Sequence, residues 1–107
     1  MTEKPTPVEY LRTIDAASAE AFQALRKAVM KAGPLDHKTC ELISLGALVT
    51  ARHEQSFKVH ARRLLRDGVE PAALRHAVLS TFAASTTFSQ IVEGLEWVDD
   101  LLRESQK

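Results

Sequence analysis

Apolar residues recur along this chain at spacings of three and four, the signature of helices with one buried face. Val8, Leu11 and Ile14 open the pattern, and Phe22, Leu25 and Val29 carry it to Met30. Asp15 stands between the two groups as an N-cap for the second, so the region reads as one kinked helix or two. Gly33-Pro34 ends it. Pro5 and Pro7 leave residues 1–7 as a flexible N-terminal tail.

Asp36 opens the next helix as its N-cap. From Cys40 to Val49 this helix is apolar nearly all round, with Leu42, Ile43, Leu45, Ala47 and Leu48 between them. Such a helix is buried in a core or between subunits. The chain then turns polar from Thr50 to Ser56 without a glycine or proline, and periodicity resumes at Phe57, Ala61, Leu64 and Leu65 until Gly68. One helix over residues 37–67 would be ~46 Å long, against a radius of gyration of ~13 Å for a compact 100-residue domain. A break near residues 50–54 is therefore expected, with Gly68 closing the second piece as a C-terminal cap.

Glu70-Pro71 starts a further helix with proline in its first turn, striped by Leu74, Ala77, Val78 and Phe82. Ser85-Thr86-Thr87 marks a bend, and a last helix carries Phe88, Ile91, Leu95, Val98 and Leu102. Strand signals, internal repeats and low-complexity tracts are absent. The pattern predicts an all-α fold of five or six helices, one domain over residues 8–107.

Composition narrows the class. The chain has 107 residues, 45% of them hydrophobic, with 14 Lys and Arg balanced by 14 Asp and Glu. Zero net charge argues against a nucleic-acid partner, which is bound by displacing counterions from phosphates, and it permits identical chains to associate. No run approaches the ~20 apolar residues that span a bilayer, so no membrane partner is expected. Met1-Thr2-Glu3-Lys4-Pro5 has no signal-peptide character. With one cysteine there is no disulfide framework, and a reducing cytoplasm is expected. A single thiol also excludes two-thiol redox chemistry within one chain.

Two residues break the apolar pattern. Glu41 sits in the most apolar helix, where a carboxylate is costly unless partnered. His60 flanks Phe57, Ala61 and Leu64, so its ring is expected on the core side. His53 and Ser56 precede it by seven and four residues, on roughly the same face if the helix begins by residue 53. A histidine and a carboxylate on consecutive helices form a proton relay when paired; a buried structural pair is the alternative.

The spacing Glu41, eleven residues, His53, two, Ser56, three, His60, with Leu35-Asp-His-Lys-Thr-Cys-Glu-Leu-Ile-Ser-Leu before it and Val59-His60-Ala-Arg-Arg-Leu-Leu-Arg-Asp-Gly68-Val69 around its end, resembles the carboxymuconolactone decarboxylase family, which includes the alkyl hydroperoxidase D group. The resemblance covers roughly residues 35–84 and implies an all-helical, usually trimeric or hexameric protein. The peroxidase branch places cysteines where His53 and Ser56 stand, and a serine hydroxyl does not replace a thiolate toward peroxide. The decarboxylase branch usually has an acidic residue at the position of Ser56, and a glycine common after the fourth helix is replaced by Ser85.

The resemblance therefore implies a site of Glu41 and His60, with His53 as a further catalytic candidate and Ser56 as a substrate-binding one. The expected chemistry is that of a lyase or isomerase, acid/base work on a small organic acid or lactone with no cofactor and no metal. A catalytically silent oligomeric scaffold or small-ligand-binding protein is the alternative. Outside the site, Cys40 is read as a buried packing thiol, and His37 and His76 as solvated. Trp97 is expected as a partly exposed subunit anchor. Lys58, Arg62 and Arg66 form a basic stripe beside Arg63 that could meet an anionic ligand; a solvated face or salt bridges to Asp67 and Glu70 is the commoner outcome.

Overall fold

A computed structural model describes residues 5–82 and 84–105. Among these the chain forms six α-helices: α1 Pro7–Ile14, α2 Ala16–Met30, α3 His37–Thr50, α4 Glu54–Arg66, α5 Pro71–Leu79 and α6 Phe88–Glu104. It gathers into two compact units, Met1–Cys40 and Glu41–Lys107, with α3 running through the division.

In the first unit, Thr6 and Glu9 build a reciprocal capping box at the start of α1, and Pro7 occupies the first turn where its missing N–H costs nothing. Of the expected tail, residues 1–4 lie outside the described residues, while Thr6 and Pro7 already shape this helix. Asp15 is extended, ends α1, and accepts from the Ser18 N–H at 3.3 Å to cap α2. The two-helix reading of this region is thus the right one. Arg12 donates to the Gln23 side chain at 2.7 Å, tying α1 to α2. Tyr10, Ile14, Phe22, Leu25, Val29 and Leu35 remain exposed. Asp36 caps α3 by accepting from the Thr39 N–H at 2.8 Å, and the bonds from the Thr39 side chain and backbone hold its carboxyl below the ordinary value. Cys40 is half-buried rather than fully buried, its thiol 3.9 Å from the Leu35 carbonyl.

The second unit explains the break between α3 and α4. The His53 N–H reaches back to the Leu48 carbonyl at 2.9 Å and the Arg52 N–H to that of Val49 at 3.0 Å. These are the two bonds of a Schellman turn, whose left-handed position normally belongs to glycine. Here it is Arg52, at φ 60°, which is why the sequence carries no breaker there. Gly68, at φ 93°, fills the same position after α4, where Val69 donates to Leu64 at 3.0 Å and Gly68 to Leu65 at 3.1 Å.

Leu45 and Val49 of α3, Phe57, Ala61 and Leu64 of α4, Leu74 and Val78 of α5, and Ile91, Val98 and Leu101 of α6 form one core. Trp97 belongs to it too: only 5% exposed, it tilts against Phe57 with ring centroids 5.2 Å apart. The expected exposed anchor is therefore a core residue, because α6 turns that face toward α4. Two glycines let helices close in. A Cβ on Gly46 would stand 3.0 Å from a Thr81 methyl, and one on Gly94 would stand 3.0 Å from Val49 and 3.1 Å from Val78.

Two members of the basic stripe of α4, Lys58 and Arg62, pair with α6 rather than with Asp67 and Glu70. Lys58 meets Asp100 at 2.9 Å and Glu54 at 2.8 Å, and Arg62 meets Glu104 at 3.1 Å. Arg75 of α5 adds a contact to Asp99 at 3.0 Å. α6 itself starts at Thr87, which forms a capping box with Gln90.

Candidate functional site

Buried positions on the inner face of α3 fall four apart: Glu41, Leu45, Val49. Spacing of four keeps side chains on one helix face, so Glu41 is the polar end of the stripe that makes the core. It is 1% exposed. A carboxylate so placed needs partners, since an unpaired buried charge costs several kcal/mol.

Helix α4 supplies them. Phe57, Ala61 and Leu64 are its buried residues, and His60 and Arg63 flank that row one turn apart. Nδ1 of His60 lies 3.4 Å from Oε1 of Glu41. On the other carboxylate oxygen, Nη1 of Arg63 lies 3.4 Å from Oε2. Both distances are long beside the ~2.7–2.9 Å of a tight charge-assisted bond. Side-chain exposure rises from 1% at Glu41 to 16% at His60 and 38% at Arg63. The three groups thus run from the core edge outward to solvent, all within the second unit.

The structure places the four expected site residues unevenly. Glu41 and His60 come together. His53 is the exposed N-cap of α4 and makes no side-chain capping bond. Ser56 is half-buried in the first turn of α4, one turn before His60. Arg63, the neighbour of the basic stripe, is the unanticipated member. Its signal was present: a cation three residues after His60 shares that face, and Glu41 required a counter-charge. His37 and His76 are exposed, as expected.

Chemically, a carboxylate facing Nδ1 of an imidazole orients the ring and favours a proton on that nitrogen. The lone pair then sits on Nε2, the arrangement that serves a general base. No group of three or more His, Cys, Asp or Glu side chains among the described residues is disposed to hold a metal ion. Among the described residues, no helix is long and apolar enough to cross a membrane.

Comparison with known proteins adds one match. The model described as the carboxymuconolactone decarboxylase family matches residues 16–100, which takes in all of α2 to α5 and most of α6. No curated protein and no solved structure matches the chain.

Proposed function

The chain belongs to the carboxymuconolactone decarboxylase family, and from that premise we propose that Glu41 and His60 are the acid/base centre of an enzyme acting on a small organic acid or lactone. The observation that carries this reading is the 3.4 Å approach of Nδ1 of His60 to a carboxylate that is 1% exposed. In it, Nε2 of His60 takes a proton from the substrate or returns one. Glu41 holds the ring and balances the imidazolium as it forms. No thiol enters the step in this reading, since His53 and Ser56 stand where the resemblance puts the family's reactive cysteines. Ser56, one turn before His60, is the substrate-contacting hydroxyl of this reading, and His53 a second proton carrier at the helix start.

A homo-oligomer, trimeric or hexameric, belongs to the same reading. Its support is the large apolar side chains left exposed: Ile43, Leu79, Phe82, Phe88 and Val92 in the second unit, and those of α1 and α2 in the first. Light scattering coupled to size exclusion tests it. The single cysteine supports a cytoplasmic location.

The enzymatic reading is tested by incubating the protein in D2O with a panel of small β-keto acids and unsaturated lactone acids, following CO2 loss and deuterium incorporation by NMR. Turnover is expected for at least one, falling by about 100-fold or more in His60→Gln. Unchanged turnover in that variant removes His60 from the chemistry. No turnover across the panel, with assembly intact, assigns the chain instead to a silent scaffold or ligand-binding role.

A further inference from the structure

A buried carboxylate next to a proton-transferring histidine is by itself a poor place to bind an acid, because like charges repel strongly where water is scarce. Glu41 is such a carboxylate. The structure sets a cation against it, Arg63, on the oxygen that His60 does not face. Glu41 and Arg63 cancel, so a second carboxylate reaching His60 meets no net negative charge from the pair.

The guanidinium is also built to do more than cancel. It carries five N–H donors in a planar fork that matches a carboxylate. One nitrogen, Nη1, is engaged with Glu41, at 3.4 Å, and the side chain is 38% exposed. The other cations of α4 are committed elsewhere or lie outside the site: Lys58 and Arg62 reach α6 at Asp100 and Glu104, and Arg66 is exposed in the last turn. Arg63 stands one turn from His60 on the same helix, near enough for one small molecule to touch both.

We propose that Arg63 is the specificity-determining residue of this site, receiving the carboxylate of a small organic acid whose reacting end lies at His60. The inference rests on the acid/base reading above. It makes the acid group the handle for recognition and neutral analogues poor ligands. The guanidinium bridges two carboxylates, the fixed one of Glu41 and the incoming one of the ligand.

The test uses succinate as the probe, titrated into the full-length protein at constant ionic strength while the His60 imidazole signals are followed by NMR. Those signals are assigned by their loss in His60→Gln. A saturable displacement is expected with succinate and none with succinamide, its neutral isostere. Arg63→Gln should weaken succinate by about tenfold or more, as expected for a lost charge-assisted bond. Arg63→Lys should fall between, and Arg66→Gln should match the parent. Because Arg63→Gln leaves Glu41 short of a counter-charge, the double variant Glu41→Gln/Arg63→Gln is measured beside it and should bind as weakly. Parent-like affinity in Arg63→Gln or in the double variant, an equal response to succinamide, or no saturable displacement in the parent overturns the proposal. Lost turnover in His60→Gln with unaltered succinate affinity in Arg63→Gln would remove this inference and leave the acid/base reading standing. Arg63-dependent succinate binding without turnover anywhere in the panel would do the reverse.

Discussion

Glu41 and His60 meet across α3 and α4, with a carboxylate oxygen 3.4 Å from Nδ1 of the imidazole. The contact joins the end of one buried stripe to the flank of another, so the polar pair is positioned by the same packing that forms the core. Its carboxylate is shared with Arg63 at the same distance.

That sharing gives the pair a measurable effect on stability. Arg63→Gln leaves a buried carboxylate with one cationic partner fewer and should cost about 1–3 kcal/mol, below the full cost of a broken buried pair because Arg63 is partly exposed. Adding Glu41→Gln should recover much of the loss, since two amides replace two charges. Urea unfolding of both variants and the parent checks this.

Phe57 and Trp97 tilt together at the centre of the second unit, 5.2 Å apart. Phe57→Ala should lower stability by about 3–5 kcal/mol, combining lost burial with a cavity. Trp97 fluorescence should shift to longer wavelength in the same variant as water gains access. An unshifted spectrum would place the indole elsewhere.

Gly94 faces two β-branched side chains whose rotamers are stiff, with Val49 and Val78 within 3.0 and 3.1 Å of an added Cβ. Gly94→Val should destabilise by about 2 kcal/mol through overpacking, although valine is the better helix former. Arg52 gives the opposite case. Its left-handed backbone, φ 60°, is strained for any residue with a Cβ by about 1–2 kcal/mol. Arg52→Gly should therefore be neutral to stabilising by about 1 kcal/mol, read as a raised melting temperature.

The Lys58–Asp100 pair sets a pH window. Burial works to lower the Lys58 pKa, but its bonds to Glu54 and Asp100 outweigh this and raise it above the ordinary 10.5. The bond from Lys58 lowers that of Asp100 below 3.8, against a smaller opposing effect of burial. A depressed carboxylate stabilises the fold above its ordinary value and loses that contribution as pH falls through the lowered one. A raised ammonium stabilises below its ordinary value and loses it as pH rises through the higher one. The stability difference between the parent and Lys58→Met should be flat across neutral pH, shrinking in strong acid and strong alkali. Chemical unfolding along a pH series measures it.

Local signals told where helices begin and end, because caps and turns are decided by neighbouring residues. Asp15, Asp36, Gly68 and Pro71 each stand where the sequence predicts. The break after Thr50 was legible from length alone, though not its cause, since an arginine in a left-handed turn gives no local sign. Relations between distant residues were the illegible part. Arg62 finds Glu104 across 42 positions, and no periodicity reveals that α4 lies against α6. The same blindness made Trp97 look exposed, its acidic neighbours being visible and Phe57 not. At the site, the burial of Glu41 was readable as a conflict within an apolar helix, and Arg63 shared a face with His60, but which cation reaches Glu41 is decided only in three dimensions.

If Glu41 and His60 act as one catalytic unit, a double-mutant cycle in turnover reveals it. On any substrate found in the panel, kcat/KM is measured for the parent, Glu41→Gln, His60→Gln and the double variant. Residues working as a unit are strongly non-additive, so the double variant should be no slower than His60→Gln alone. A double variant that loses the product of the two single losses would show that the residues act independently and would rule out a single Glu41–His60 unit.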